Sequence, residues 1–398
     1  MAEFRDQKAI TARITEQMEK AGLDAVLFTS GDAVYYATGF AARDLYRGGQ
    51  TGNSAALVNK DGSTGLVVGE FALHTAQEAA RDYDNVTVTS YPTWIYIEDY
   101  AVAGQEKEVQ PDLNKTFKKV LEFLPEHSGP VRLGVQTSYL TPFAWEYLTD
   151  RFGRENLVDV KDLLVEARAI KTPWEIDVLR TAAHYSELTM NTVARQIVPG
   201  MTEADVINLF NKTAFSWDSD IMDVSNAHTI GANFTPSYVA PHTRINRGDI
   251  IRLDGGPHVK AYNSDLARTF VVGGGASKDK IELYGHLWAG YEFAREHIAP
   301  GVKMSDIFKG IHRVLEERGF TGYVRGHQGH SLGCALFGEE YPFIAPGNDR
   351  TFEPGMVMNL EMPYYSSRHQ TYNIEDTFLI KEDGVEWFTS ASPSLDLY

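Results

Sequence analysis

The chain is poor in cysteine, with one residue, Cys334, among 398. No internal disulfide can form, and because secreted chains more often carry cysteines in pairs, the expected compartment is the reducing cytoplasm. Positive charge is scarce too: 37 Lys and Arg stand against 54 Asp and Glu, a formal net charge of −17. A nucleic-acid backbone or an anionic membrane surface needs clustered basic residues, so neither is expected as a partner. No apolar run approaches the roughly 18 residues that would suggest a membrane span. The opening Met1-Ala2-Glu3-Phe4-Arg5-Asp6 leads into a charged amphipathic stretch without the apolar centre of a secretion signal. Also missing is a glycine loop closed by Lys-Ser or Lys-Thr, the cradle of a nucleotide phosphate.

What is present has two halves, as the length suggests, since domains mostly run from about 50 to 250 residues. Ile10, Ile14, Met18 and Ala21 fall at helical spacing, and Gly22 is placed to end that helix. Residues 24–30 read as a buried strand, and 55–68 as a hairpin turning at Asp61-Gly62. Helical patterns at 71–82, 112–125 and 141–153 alternate with strands at 86–91 and 131–136, which predicts an α/β domain over residues 1–162. Val160 to Pro173 reads as the connection, and residues 163–398 as the second domain. There the spacing predicts helices at 175–198, 203–214, 278–298 and 304–318, with Pro199-Gly200 stopping the first. Strands at 249–253, 266–272, 356–361 and 376–380 predict an α+β domain with a mainly antiparallel sheet.

Five residues of the second half carry chemistry in combination. Asp254 and Asp265 are eleven positions apart, an odd number, so on one continuous strand they would face opposite sides. A hairpin or bulge must intervene, and Gly255-Gly256-Pro257 and Asn263-Ser264 supply its turns. His327 and His330 lie in the glycine-rich Gly326-His-Gln-Gly-His-Ser-Leu-Gly333. Glu361 and Glu375 interrupt apolar strand-like runs, where an inward glutamate must be paired or coordinated. Taken singly, each has an ordinary role: turn caps for the aspartates, a hydrogen-bonded loop histidine, a solvated strand glutamate. Together, four carboxylates and one imidazole carry a charge of about −4 that two divalent cations would balance. Such an oxygen-rich set with one nitrogen suits manganese, cobalt, iron or zinc, with geometry rather than affinity deciding. Two ions about 3.5–4 Å apart can activate water and polarise a carbonyl, which is metal-assisted hydrolysis.

At these residues the chain resembles the pita-bread metallohydrolases, which include methionine aminopeptidase, prolidase, aminopeptidase P and creatinase. The resemblance runs over nearly the whole length. Asp24-Ala-Val-Leu-Phe-Thr-Ser and Tyr36-Ala-Thr-Gly-Phe40 look like the family's creatinase-like N-terminal α/β domain, and Arg168-Ala-Ile-Lys171-Thr-Pro-Trp-Glu175-Ile like the opening helix of its α+β pita-bread catalytic domain. It implies two divalent metal ions on Asp254, Asp265, His330, Glu361 and Glu375, and a bridging hydroxide attacking a scissile carbonyl. Glu361 would also carry the proton to the leaving amine, and Asp376 would orient Glu375 from behind.

The implied activity is that of an Xaa-Pro dipeptidase or aminopeptidase P, a metallopeptidase cutting the bond before proline. The alternative on the same fold is hydrolysis or lysis of a small nitrogenous or sulfonium metabolite, and a third reading is a binding module without catalysis. The resemblance also implies a homodimer acting on a small peptide or small-molecule substrate. Its accessory positions depart from the family: Ser237 stands where a histidine is usual, and Asn373 where arginine often precedes the last glutamate. His242 or His327 would then supply the imidazole that contacts substrate.

Overall fold

The computed structural model describes residues 4–42, 53–100, 104, 109, 114–217, 227–229, 243–336 and 338–396. The chain divides into two compact units, Ala2–Arg168 and Ala169–Tyr398. The sequence placed the division after residue 162. It falls later because Lys161–Ala169, expected as a connection, is a helix whose Arg168 pairs with Asp32 of the first unit at 2.8 Å.

In the first unit β1 (Ala25–Phe28) lies at the centre of a six-stranded sheet, between β2 (Ala55–Asn59) and β5 (Leu133–Val135). β3 (Thr64–Gly69) and β4 (Val86–Tyr91) extend one side and β6 (Leu157–Asp159) the other. The β2–β3 hairpin is antiparallel, while β1 to β5, β5 to β6 and β3 to β4 are parallel and need crossovers. Helix α1 (Gln7–Ala21) precedes β1; α2 (Gly31–Thr38), α3 (Leu73–Ala79), α4 (Asn114–Val120) and α5 (Pro142–Phe152) lie between strands in chain order, and α6 (Lys161–Ala169) follows β6. Gly22 ends α1 at φ 64°, a conformation that costs glycine little. Leu27, Leu57, Val67, Phe117, Leu133 and Leu148 form the core. The unit is an α/β domain, as expected.

The second unit opens with α7 (Pro173–Ala194), whose Thr172 and Glu175 form a reciprocal capping box. α8 (Glu203–Ala214) and the short β7 (Ala227–Thr229) follow. The remaining elements are β8 (Ile250–Asp254), β9 (Ala267–Val271), α9 (Lys278–His297), α10 (Met304–Glu317), β10 (Gly329–Ser331), β11 (Glu340–Phe343), β12 (Val357–Glu361), β13 (Tyr364–Ser366), β14 (Gln370–Tyr372), β15 (Glu375–Lys381) and β16 (Gly384–Trp387). The main sheet runs β11-β10-β12-β15-β9-β8-β7, with antiparallel neighbours throughout.

Its packing decides where the chemistry sits. Met358, Leu360, Phe378 and Ile380 bury themselves with Leu287, Ile311 and Leu315 of α9 and α10. Ile251, Leu253 and Phe270 do the same with Val193, Val206 and Phe210 of the α7–α8 side. Successive strand residues alternate faces, so the intervening Arg252, Asp254, Asn359, Glu361, Glu375 and Thr377 all point to the face away from the helices. Gly329 lets β10 approach β12: its φ is 150°, and a Cβ there would lie 2.0 Å from the Asn359 carbonyl oxygen.

Candidate metal centre

Strand pairing sets the centre. Asp254 is opposite Ala267, Ala267 opposite Glu375, and Glu375 opposite Glu361, one row across β8, β9, β15 and β12. Directly paired residues share a face, so three carboxylates stand along this row. Asp265, two positions before Ala267, keeps its parity. His330 is opposite Asn359, two positions before Glu361, and so joins the same face from β10. All five expected donors are thus brought to one side of one sheet, with Asp254 ending β8 and Asp265 in the irregular segment just before its partner β9.

Among the described residues, Asp265, His330 and Glu375 offer donor atoms within 4.8 Å of one another. His330 Nδ1 is 3.0 Å from the Ser331 carbonyl oxygen, to which a protonated Nδ1 donates. In the neutral ring Nε2 then carries a lone pair. It faces Glu375 Oε1 at 3.7 Å and Asp265 Oδ2 at 3.8 Å. A lone pair facing two carboxylates is repulsive on its own and favourable around a cation, so the donor set fits a divalent metal ion.

The electrostatics agree. Burial pushes the Asp265 carboxyl well above the usual carboxylate range, and Glu375 and Asp254 add to it. Glu375 is raised well above its own by burial, then by Asp254 and Glu361. Among the described residues its oxygens accept from neutral amides, Asn359 Nδ2 at 2.8 Å and Asn373 Nδ2 at 3.2 Å. Glu361 behaves differently: burial would raise it, but His327 and Arg325 outweigh that and hold it below the usual range. Arg325 Nη2 donates to Glu361 Oε1 at 2.7 Å, and Arg252 Nη1 donates to Asp254 Oδ2 at 2.5 Å.

His327 and Asp376 lie in unlike surroundings. His327 faces carboxylates on both sides, Glu361 Oε1 at 3.2 Å from Nδ1 and Glu339 Oε2 at 3.4 Å from Nε2. Burial opposes its protonation, yet Glu339 and Glu361 raise the imidazole above its ordinary value, and the same contact holds Glu339 at about 2. Asp376, expected to orient Glu375 from behind, is on the opposite face of β15, because adjacent strand residues alternate. There it is fully buried, accepting from Arg268 Nη2 at 2.8 Å, Thr389 Oγ1 at 2.5 Å, the Ala391 amide at 2.9 Å and the Tyr291 hydroxyl. It reaches the site only through Arg268, whose Nη1 donates to the Glu375 carbonyl at 2.7 Å. Ser237 and His242 lie outside the described residues.

Sequence reasoning missed both arginines, although Arg252 shares a strand and a parity with Asp254. It also passed over Gly329-His-Ser-Leu-Gly333, which has the Gly-x-Ser-x-Gly spacing of a nucleophile elbow. Ser331 is no such nucleophile: it is fully buried in β10, accepts from Lys171 Nζ at 2.9 Å and donates to the Val357 carbonyl at 3.4 Å. Cys334 is buried, as its apolar character suggests.

An α/β domain followed by an antiparallel sheet that gathers four carboxylates and one imidazole defines a class, the two-domain metal-dependent hydrolases of pita-bread type. The chain belongs to metallopeptidase family M24, whose model matches residues 177–382, and residues 11–170 match the creatinase/prolidase N-terminal domain. The Xaa-Pro dipeptidase of Pyrococcus horikoshii is 25% identical over 392 residues, covering 96% of this chain and 97% of its own. A probable dipeptidase, PepE, of Mycobacterium bovis is 32% identical over 229 residues, 56% of this chain and 59% of its own. In fold, the chain is similar to the Xaa-Pro dipeptidase of Bacillus anthracis, with a TM-score of 0.80 at 21% identity over 99% of this chain and 100% of that one. No helix among the described residues is long and apolar enough to cross a membrane.

Proposed function

We propose that the chain is an Xaa-Pro dipeptidase that uses divalent metal ions to hydrolyse the bond before proline in short peptides. The observation that carries this is the His330 lone-pair nitrogen facing Asp265 and Glu375, with Asp254 and Glu361 in the same row. Asp254, Asp265, His330, Glu361 and Glu375 would hold the metal. A divalent cation there would supply Lewis-acid polarisation of a carbonyl and would acidify water.

The chain's own groups have separable tasks. Asn359 and Asn373 fix the two oxygens of Glu375. Glu361 is kept ionised by Arg325 and His327, and Arg325 occupies its Oε1. Its other oxygen, Oε2, is the one to take a proton from water and return it to the departing amine. His327, set between two carboxylates, orients Glu361 and lies beside the reacting groups. The relatives named above are peptidases, so the small-metabolite reading is not carried forward. Manganese as the first ion to supply, a homodimer and a cytoplasmic location are retained from the resemblance and from the lone Cys334.

The test is an assay of metal-loaded protein on Xaa-Pro dipeptides, on the same residues in Pro-Xaa order, and on longer Xaa-Pro peptides. Selective turnover of Xaa-Pro dipeptides is expected, with a fall of on the order of 1,000-fold in Glu361→Gln, if proton transfer is worth its usual 10²–10⁴-fold. No turnover of any peptide by fully loaded protein would overturn the assignment.

A further inference from the structure

One carboxylate beside the centre reaches solvent far more than its neighbours. The side chains of Asp254, Asp265, Glu361 and Glu375 are between 2% and 21% exposed, whereas that of Glu339 is 53% exposed. The edge of the sheet puts it there. β11 is the outer strand, and its Phe343 is opposite His330, so that ring shares the face of the donor row. Just before β11, Gly338 brings the chain in close: a Cβ there would lie 3.7 Å from Asp265 Oδ2. Glu339 follows, with its Oε2 3.4 Å from His327 Nε2, while Nδ1 of the same ring is 3.2 Å from Glu361 Oε1. A single imidazole thus stands between the proton-carrying Glu361 and an exposed anion.

That anion has charge to offer. Arg325 is spent on Glu361, and among the described residues no lysine or arginine is within ion-pair distance of Glu339, whose Oε1 meets no donor. The half-buried Phe343 ring is 5.0 Å from the His327 ring and presents an apolar surface along which an alkyl stem can lie. An apolar ring and an exposed carboxylate, both against His327, match a long side chain with a positive tip. We infer that Glu339 selects the first residue of the substrate, favouring a basic side chain over an acidic one at the Xaa position of Xaa-Pro. The charges of the dipeptide itself agree. Its positive charges are all on the first residue and its terminal carboxylate is on the second, so an anion at the rim suits the first-residue side. The α-ammonium is two bonds from the scissile carbonyl carbon and stays on the near side of the imidazole; a lysine ammonium, six bonds out, reaches past it. The inference rests on the Xaa-Pro dipeptidase reading and adds a side-chain preference to it.

Steady-state kinetics of the metal-loaded full chain on Lys-Pro, Leu-Pro and Glu-Pro test it, read as ratios of kcat/KM. Lys-Pro should exceed Glu-Pro on the order of tenfold, since an exposed ion pair is worth up to about fivefold and a like-charge contact costs a similar factor. Glu339→Gln, which can still accept from His327, should lower Lys-Pro relative to Leu-Pro, raise Glu-Pro relative to it, and bring the Lys-Pro to Glu-Pro ratio within about twofold. Glu339→Lys should invert the ratio. Raising the salt from about 0.05 M to about 0.5 M should shrink the preference of the unaltered chain and leave that of Glu339→Gln where it is, a dependence that a merely structural role would not produce. An unaltered chain without the preference, or a Glu339→Gln chain in which all three substrates fall by the same factor, overturns the inference; the latter would make Glu339 a prop for His327. In either case turnover of Xaa-Pro leaves the dipeptidase reading standing, whereas metal-loaded protein that cleaves no peptide overturns that reading and this inference with it. The unaltered chain's own ratio and its salt dependence decide the matter if a variant does not fold.

Discussion

Glu375 and Asp376 are neighbours in one strand, both almost wholly buried, and they live in opposite electrostatic worlds. Asp376, on the helix-covered face, accepts from one guanidinium, two hydroxyls and a backbone amide. Glu375, on the other face, accepts from two neutral amides, and burial first, then Asp254 and Glu361, raise its carboxyl well above the ordinary range. Burial alone therefore does not mark a functional carboxylate. What separates the two is whether the protein itself completes the charge. Asp376 is complete and braces the fold; Glu375 is incomplete and calls for a cation.

Breaking the complete side should have the larger effect on stability. Removing one partner of a buried ion pair strands the other, at a cost of about 3–5 kcal/mol. Asp376→Ala leaves Arg268 paired with Glu187 at 3.3 Å but takes away its buried partner and the acceptor of the Tyr291 and Thr389 hydroxyls, so urea unfolding should show a loss near the lower end of that range, equal in metal-free and metal-loaded protein. A loss under about 1 kcal/mol would mean that solvent reaches this cluster and that the contrast with Glu375 is false. Glu375→Gln should behave in the reverse sense. Removing a like charge from the row should leave the metal-free chain as stable as before or slightly more so. The stabilisation by metal, about 2.7 kcal/mol when free ion is at 100 times its dissociation constant, should disappear. Thermal unfolding with chelator and with Mn²⁺ reads both halves; a variant still stabilised by Mn²⁺ would remove Glu375 from the centre.

The contrast also explains what could be read from sequence and what could not. The five candidate donors were legible in combination and through the family resemblance rather than one by one, since singly the aspartates read as turn caps, either histidine as a loop residue and the glutamates as solvated. The eight-residue α2, the short strands β7, β10, β11, β13 and β14, and helix α6 were not anticipated, since few of them are long enough to display a period. Helix 175–198 was expected one turn too long, because Arg195 to Val198 continue the pattern while the structure ends α7 at Ala194. The roles of Asp376, Arg252 and Arg325 depend on which strands pair and in what register, a non-local fact. Arg252 was within reach, since two positions before Asp254 on a strand means the same face. Arg325 was not, since it reaches Glu361 from a loop 36 residues away.

A third carboxylate calibrates the pair from the solvent side. Asp24, in the first unit, accepts the Arg132 backbone N–H at 3.0 Å on Oδ2 and meets Lys60 Nζ at 3.2 Å on Oδ1, with its side chain 24% exposed. The Arg132 amide holds the Asp24 carboxyl below the usual range, with Lys60 assisting and partial burial opposing. A carboxyl lowered by folding binds its proton less readily in the native state than in the unfolded one. Its contribution is therefore present above the unfolded value of about 3.9 and is lost as pH falls through the native one. Asp24→Asn should cost less than about 1 kcal/mol at neutral pH, the range of a single partly exposed hydrogen bond and ion pair. The difference from the unaltered chain should shrink towards zero at about pH 2, whether or not Mn²⁺ is present. Unfolding of both proteins across that range checks the sign, and a deficit that persists at acid pH would place the contribution of Asp24 in packing rather than in charge.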